Sequence, residues 1–505
     1  MSVLDPAACY QALKTRDERF DGRIFVGVTS TGIYCRPVCP ARPAKPEHCR
    51  FFASAAAAQE AGFRPCLRCR PETAPELGPW RGTCNTVSRG LALIAQGDLD
   101  GNEANIDSLA ERLGVGGRQL RRLFQQHLGA SPIAVAQTRR LLFAKQLIHE
   151  THLPMSHVAL AAGYGSIRRF NETFRALYNR PPSVLRRARK SERTSGSQSN
   201  TGVTVRLRYR APYDWHSMLS YLAARAVEGI ERVEGERYAR TVMRHGAVGT
   251  VEISHLPEDG ALRAIIHLSN VRALPAIVTG IKRAFDLGAD VDAIGTHLAR
   301  DPLLAPLVAA RPGLRVPGGW DGFELAVRAT LGQQVSVEAG RHLAGQLARL
   351  CGTRISPTES GESALTLIFP SAELVLAADM ASLGMPNSRK QTLVALARAA
   401  LTDPQLFQPQ DTVEHTVARL RKIRGVGDWT AHIIALRASR EPDAFPSSDV
   451  ALLRAAAGRN GVRPSSEELL ARAEHWRPWR AYAAQHLWIE DRRMHHEHTA
   501  QSFVR

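Results

Sequence analysis

The stretch NIDSLAERLGVGGRQLRRLFQQHLGASP, residues 105–132, reads as a helix, a glycine turn and a second helix. Asp107 is placed to cap the first helix, because a short acidic side chain can accept the free N–H groups of a first turn. Leu109, Ala110 and Leu113 fall on one face of that helix, and Leu120, Leu123 and Phe124 on one face of the next, at amphipathic spacing. Arg118, Arg121 and Arg122 are left on the outer side. A second unit, PMSHVALAAGYGSIRRFNETFRALYNRPPSVLRR at 154–187, repeats the layout and puts Ser166, Arg168, Arg169 and Asn171 at the outer positions. Each unit carries A-x-x-x-G, at 110–114 and at 159–163, and then a basic helix. A plain helical bundle with a solvated basic face would account for the arginines. It would not account for two glycine turns so placed, whereas a helix-turn-helix pair entering the major groove accounts for both.

Charge agrees with that placement. The 505-residue chain has a formal net charge of +18, which makes nucleic acid the first partner to test. Between Arg112 and Arg193, sixteen Lys and Arg stand against Glu150, Glu172 and Glu192, a local excess of +13. The block runs into RRARKSERTSGSQSNTG, so residues 191–202 read as a flexible linker. Beyond it Val203, Val205, Leu207 and Tyr209 alternate with polar residues, the pattern of a half-buried strand. From about Trp320 onward the chain is Ala/Leu-rich with helical spacing. A length of 505 allows roughly three to five domains. With 44% hydrophobic and 23% charged residues the chain reads as globular. It has no apolar run long enough for a membrane span and no secretory leader pattern, so a cytoplasmic protein without membrane contact is expected.

Upstream, four of eight cysteines fall as Cys35-x3-Cys39 and, 26 residues on, Cys66-x2-Cys69. Two close pairs at that separation are how one Zn2+ gathers four thiolates. Disulfides are disfavoured in a reducing compartment, and Pro37, Pro40 and Pro65 supply the turns of a zinc knuckle. Cys9, Cys49, Cys84 and Cys351 show no pairing and read as core or surface residues.

The strings STGIYCRPVCPAR (30–42) and GFRPCLRCRPE (62–72) resemble the N-terminal domain of the Ada adaptive-response proteins. The resemblance implies that the zinc-bound thiolate of Cys35 takes a methyl group from a methyl phosphotriester in alkylated DNA. The chemistry is sound, since the thiolate is the nucleophile and zinc maintains it at neutral pH. Methylating one of four zinc thiolates removes one negative charge, which strengthens attraction to a phosphate backbone and gives a methylation-driven switch. No residue stands ready to remove the methyl, so transfer is stoichiometric. AGYGSIRRFNETFRALYNRPPSVLR (162–186) resembles the AraC-type regulator signature, which implies sequence-specific operator binding and RNA polymerase as a partner. Many Ada proteins end in a methyltransferase domain marked by P-C-H-R; no such string occurs here, so O6-methylguanine transfer is not expected.

From about residue 203 to 490 the chain resembles 3-methyladenine DNA glycosylase II of the AlkA type. The matching strings are RYRAPYDWHSMLSYLAARAVEGIERVEGERYART (208–241), TLGQQVSV (330–337), IRGVGDWTAHIIALRA (423–438), FPSSDVALLR (445–454) and WRPWRAYAAQHLW (476–488). IRGVGDW reads as a helix-hairpin-helix in which Gly425 and Gly427 permit positive backbone angles and bring amides to a phosphate. Asp449 matches the family's catalytic aspartate, which stabilises oxocarbenium character at the sugar. It also reads as a helix N-cap. Strand-cleaving relatives carry a lysine where this chain has Trp429, so the resemblance implies a monofunctional glycosylase. It also implies that Trp429, Trp488 and Tyr221 line the pocket for a flipped alkylated purine, although each aromatic equally reads as core. Two places depart from the pattern. Ile433 stands where the family pattern has a tyrosine, and Gln334 where it has a leucine that wedges into the DNA gap.

The expected fold is therefore multidomain, mainly α with α+β parts. A small zinc-bound α+β domain spans 1–80 and an AraC-type all-α double helix-turn-helix 82–190. After the linker come an antiparallel-sheet α+β domain at 203–310 and an all-α helix-hairpin-helix glycosylase domain at 311–505. The expected partners are double-stranded DNA, both alkylated and as an operator, and the expected state is a monomer with one Zn2+. Two other readings stay open: a transcription factor whose C-terminal half binds damage without catalysis, and a zinc site that is purely structural.

Overall fold

A computed structural model describes residues 5–75, 85–100, 105–186, 202–355, 364–410, 412–457 and 461–502. The expected linker falls almost wholly outside the described residues, as does Cys84. The protein is multidomain and mainly helical, with small sheets. Its backbone divides into two compact units, Met1–Tyr209 with Met243–Thr279, and Arg210–Val242 with Gly280–Arg505. No helix among the described residues is long and apolar enough to cross a membrane.

The first unit begins with helix Pro6–Thr15, capped by Asp5, whose carboxylate accepts the N–H groups of Ala7 and Ala8. A four-stranded sheet follows in the order Cys49–Phe52, Phe25–Val28, Ile33–Cys35, Arg64–Pro65. Its last pairing is parallel, with Tyr34 opposite Pro65, and this lays Cys35 beside the chain entering Cys66. The sheet packs closely over Gly27, where an added Cβ would come within 2.8 Å of Phe52 and 2.9 Å of Phe63.

Two helix-turn-helix pairs share the long helix Pro132–Glu150. In the first, Ile106–Arg112 and Gly117–Leu128 bury Leu109, Leu113, Leu120 and Phe124 in one core around Gly114, which turns the chain at φ 71°. The cap is Asn105, whose side chain accepts the Asp107 N–H; Asp107 itself lies in the first turn, so the expected capping role shifts by two residues. The second pair, Met155–Ala161 and Ile167–Tyr178, buries Val158, Phe170 and Phe174 around Gly163 at φ 82°. In the same unit strand Val203–Arg208 pairs antiparallel with Ala261–Leu268, which pairs with Ala247–Leu256. Val205, Leu207 and Tyr209 are buried, as the alternation requires.

The second unit is built mostly of helices around one apolar core that includes Leu331, Leu393, Leu420, Ile434, Phe445, Leu452 and Leu487. The helical run is interrupted by a short antiparallel pair, Thr353–Arg354 with Leu367–Ile368. Helices Val413–Arg421 and Asp428–Arg437 form the hairpin. Only Gly425 adopts a positive angle there, at φ 84°, against the side chain of Thr392; Gly427 is extended and caps the second helix. Gly427 has nothing within 4 Å of where a Cβ would stand.

Candidate functional sites

The sulfurs of Cys35, Cys39, Cys66 and Cys69 all lie within 4.8 Å of one another. Four thiolates at about 2.3 Å from one Zn2+ sit near 3.8 Å apart, so the set fits a single tetrahedral ion. The loops are locked from within: the buried Arg36 guanidinium pairs with Asp21 and donates to the Cys69 carbonyl at 3.1 Å and to Thr73 Oγ1 at 2.7 Å. The four cysteines are not equivalent. Cys39, Cys66 and Cys69 are buried, whereas Cys35 is half-buried. Cys69 Sγ accepts the Arg36 N–H at 3.4 Å, Cys66 Sγ that of Arg68 at 3.3 Å, and Cys39 that of Ala41. Among the described residues no backbone N–H is directed at Cys35 Sγ. Hydrogen bonding to Cys39 and its neighbours pushes the Cys35 thiol up, while accepting from Cys35 draws Cys66 down and takes Cys39 to about 7. A coordinating cation ends that competition by deprotonating such thiols outright.

This centre rests on the helix-turn-helix core. Glu72, three residues after Cys69, pairs at 2.8 Å with Lys145 of the long helix, and both side chains are essentially inaccessible. Lys145 also donates to the Cys66 carbonyl at 3.2 Å. Burial alone would push the Glu72 carboxyl up, but Lys145 and Arg70 outweigh it and hold it below its ordinary range. This pair was not legible beforehand, because a lysine on a basic amphipathic helix reads as surface.

Arg118, Arg121 and Arg122 are exposed on Gly117–Leu128. On Ile167–Tyr178 the hydroxyl oxygen of Ser166 accepts the Arg169 N–H as the cap, Arg168 pairs with Glu172 at 2.8 Å, and Asn171 is half-buried.

In the second unit three predicted residues meet. Asp449 caps Val450–Ala456, with Oδ1 accepting the N–H groups of Ala451 at 3.0 Å and Leu452 at 3.1 Å. Trp488 Nε1 donates to the same oxygen at 3.2 Å, and Trp429 Nε1 donates to Oδ2 at 2.7 Å. Four donors thus converge on one half-buried carboxylate, matching the acceptor-only capacity of its ionised form. The cap and the indole contacts coexist. Tyr221 is buried nearby, with the Arg225 guanidinium 4.1 Å and that of Arg437 4.5 Å from its ring centre. Burial would push its phenol up; Arg437, Arg225 and Arg492 outweigh this and hold it below its usual value. Arg437 also lies 5.1 Å from the Trp488 ring, and burial pulls its own value down to about 10. Ile433 packs half-buried on the core one turn after Trp429. Gln334 is exposed, with a left-handed φ of 54°. Neither Arg437 nor Gln333, which anchors the Gln334 loop, stood out from sequence, since both act through partners remote along the chain.

Comparison with known proteins yields three family matches: the metal-binding domain of Ada over residues 8–72, a helix-turn-helix domain over 109–188 and the AlkA N-terminal domain over 204–321. The chain is 40% identical over 482 residues to the "Probable bifunctional transcriptional activator/DNA repair enzyme AlkA" of Mycobacterium tuberculosis, covering 95% of each chain. It is 34% identical to DNA-3-methyladenine glycosylase 2 of Escherichia coli over 56% of this chain and 96% of that one. It is also 34% identical to the bifunctional transcriptional activator/DNA repair enzyme Ada of Escherichia coli, over 26% of this chain and 35% of the relative. Among solved structures, a 3-methyladenine DNA glycosylase from Archaeoglobus fulgidus shares the fold over 57% of this chain and 98% of its own, with a TM-score of 0.50 and 19% identity.

Proposed function

The chain belongs to the family of bifunctional transcriptional activator/DNA repair enzymes, and from that premise we propose that it senses, reports and repairs alkylation of DNA. The C-terminal part is a DNA glycosylase, and the reading makes it monofunctional, acting on alkylated purines such as 3-methyladenine. The observation that carries it is the convergence of two indole N–H groups and a helix N-terminus on Asp449. A flipped base stacks against Trp429 and Trp488, with Tyr221 behind them. As the bond from C1′ to the base nitrogen breaks, its electron pair leaves with the base. The fixed Asp449 carboxylate stabilises the positive charge growing on the sugar. Water then adds to C1′ and gives up a proton. With Trp429 in place of a lysine, no Schiff base forms and the strand stays intact.

Methyl transfer is the second activity. Of the four cysteines Cys35 alone is not fully buried, and among the described residues its sulfur alone takes no backbone donor, so in this reading Cys35 is the acceptor. Its Sγ forms a bond to the methyl carbon, the bond from that carbon to the ester oxygen breaks, and the phosphodiester leaves as an anion. Zn2+, bound by Cys35, Cys39, Cys66 and Cys69, supplies thiolate at neutral pH. Arg118, Arg121, Arg122, Ser166, Arg168, Arg169 and Asn171 contact the operator, and Gly425, Gly427 and Gln334 contact damaged DNA. The domains follow as a sensor at 1–80, a reader at 82–190, a linker at 191–202, a sheet-containing cap at 203–310 and a glycosylase at 311–505. The protein acts as a cytoplasmic monomer that engages RNA polymerase.

Two substitutions in the full chain test the reading. Asp449→Asn abolishes release of 3-methyladenine from methylated DNA, and retained release removes the glycosylase mechanism. Cys35→Ala abolishes the added methyl mass after incubation with methylated DNA while base release continues; an adduct that persists on the N-terminal peptides removes Cys35 as acceptor. Ile433 and Gln334 favour a competing reading, a regulator whose C-terminal half binds damage without catalysis. Tight binding of methylated DNA with no base release by the unmodified protein selects that one.

A further inference from the structure

The loop joining helices Gly322–Leu331 and Val337–Cys351 presents Gln334 to solvent in a left-handed conformation that side chains other than glycine rarely hold. Such a conformation persists where neighbouring contacts over-determine it, and the residue before it shows how. Gln333 is fixed at both ends. Its side-chain amide donates to the Gly425 carbonyl at 3.1 Å and to Thr430 Oγ1 at 2.8 Å. Its own carbonyl accepts the Arg389 guanidinium at 2.6 Å. Arg389 stands in the first turn of helix Asn387–Thr402. One turn on, the same helix presents Thr392, whose Oγ1 would lie 1.9 Å from a Cβ added to Gly425. One helix therefore buttresses the hairpin turn through Thr392 and aims the Gln334 loop through Arg389. Among the described residues Arg389 has no carboxylate partner, so its one short bond, to a main-chain oxygen, is not explained as half of an ion pair.

From this we propose that Arg389 is a positioning residue for lesion extrusion. It sets the direction in which Gln334 enters the stack and ties that entry to the grip of the hairpin on the backbone. The inference rests on the glycosylase reading and on Gln334 as the residue that fills the gap left by the flipped nucleotide. Gln334 brings a primary amide where a leucine brings only bulk. Its donor and acceptor can pair with the edge of the base left unpaired opposite the lesion, provided the main chain holds it in register. Arg389 is what holds that register.

The consequence is specific. Extrusion from an intact pair needs the wedge; extrusion where no base stands opposite needs it far less. Two duplexes with a single 7-methylguanine, one paired with cytosine and one facing an abasic site, separate the two cases. With full-length protein in single turnover, Arg389→Ala lowers base release from the paired duplex about tenfold and leaves the unpaired duplex within a factor of two. Arg389→Lys, which keeps a donor to the Gln333 carbonyl, restores most of the loss. An equal fall on both duplexes, or no fall on either, overturns the proposal. Gln334→Ala distinguishes its failure from that of the wedge assignment. If Gln334→Ala lowers release from the paired duplex selectively and Arg389→Ala does not, only the positioning role is lost. If Gln334→Ala is itself without selective effect, the wedge assignment is lost with it.

Discussion

At the scale of single residues the glycosylase site turns on how one carboxylate is held. Trp429 and Trp488 were legible as candidate pocket aromatics because they sit in recognisable strings. That their N–H groups both end on Asp449 was not legible, since the two indoles and the carboxylate come from three separate segments. Their role is thus directional as well as apolar, and the two functions can be separated. Phenylalanine at either position keeps an aromatic face and removes one donor to a charged acceptor, a loss of about 1.5–3 kcal/mol in such bonds. At roughly 1.4 kcal/mol per tenfold in rate, Trp429→Phe should lower single-turnover base release about tenfold or more with little change in duplex affinity. Trp488→Phe, which gives up a longer bond, should cost less. Unchanged rates for both variants would mean that Asp449 is oriented by its helix alone.

At the scale of elements the long helix Pro132–Glu150 does more than join two helix-turn-helix pairs. Its Lys145 is buried against Glu72 and the Cys66 carbonyl, which couples the cysteine loops to the reader's core. Breaking such a pair from one side leaves an uncompensated buried charge and costs about 3–5 kcal/mol, while replacing both partners by apolar residues is often nearly neutral. Lys145→Met should therefore lower the urea midpoint of the sensor–reader transition, and adding Glu72→Leu should recover most of it. The Glu72 carboxyl is held below its ordinary value in the folded chain. Its contribution is therefore complete above the unfolded value of about 4.3 and is lost as pH falls through the folded one. A midpoint that falls less steeply with acid in the double variant than in the wild type checks the sign. The helices themselves were readable because apolar spacing and a following glycine are local signals, and Gly114 and Gly163 turn the chain where they were expected. Asn105 displaced Asp107 as the cap because two neighbouring acceptors compete and only side-chain geometry decides between them. In the hairpin, Gly425 alone takes the positive angle, and Thr392 leaves no room for a Cβ there.

At the scale of the whole molecule the charge is unevenly divided, with +13 of the +18 lying between Arg112 and Arg193. Arg118, Arg121 and Arg122 belong to the first compact unit, whereas Asp449 and its indoles belong to the second. Attraction to DNA and the chemistry of base release are therefore open to independent change. Each phosphate contact contributes about 0.9 to the slope of log K against log salt on duplex DNA. Replacing Arg118, Arg121 and Arg122 together by glutamine should flatten that slope for an undamaged duplex by roughly 1–3, according to how many of the three meet phosphates rather than base edges. The rate of base release at saturating enzyme should stay at its wild-type value, because no donor to Asp449 is touched. Anisotropy titrations across a salt series, paired with single-turnover excision, measure both quantities on the same protein. A slope identical to wild type would place the long-range attraction on the second unit, and a fall in saturated excision would mean that the reader's grip on DNA is needed for the glycosylase step itself.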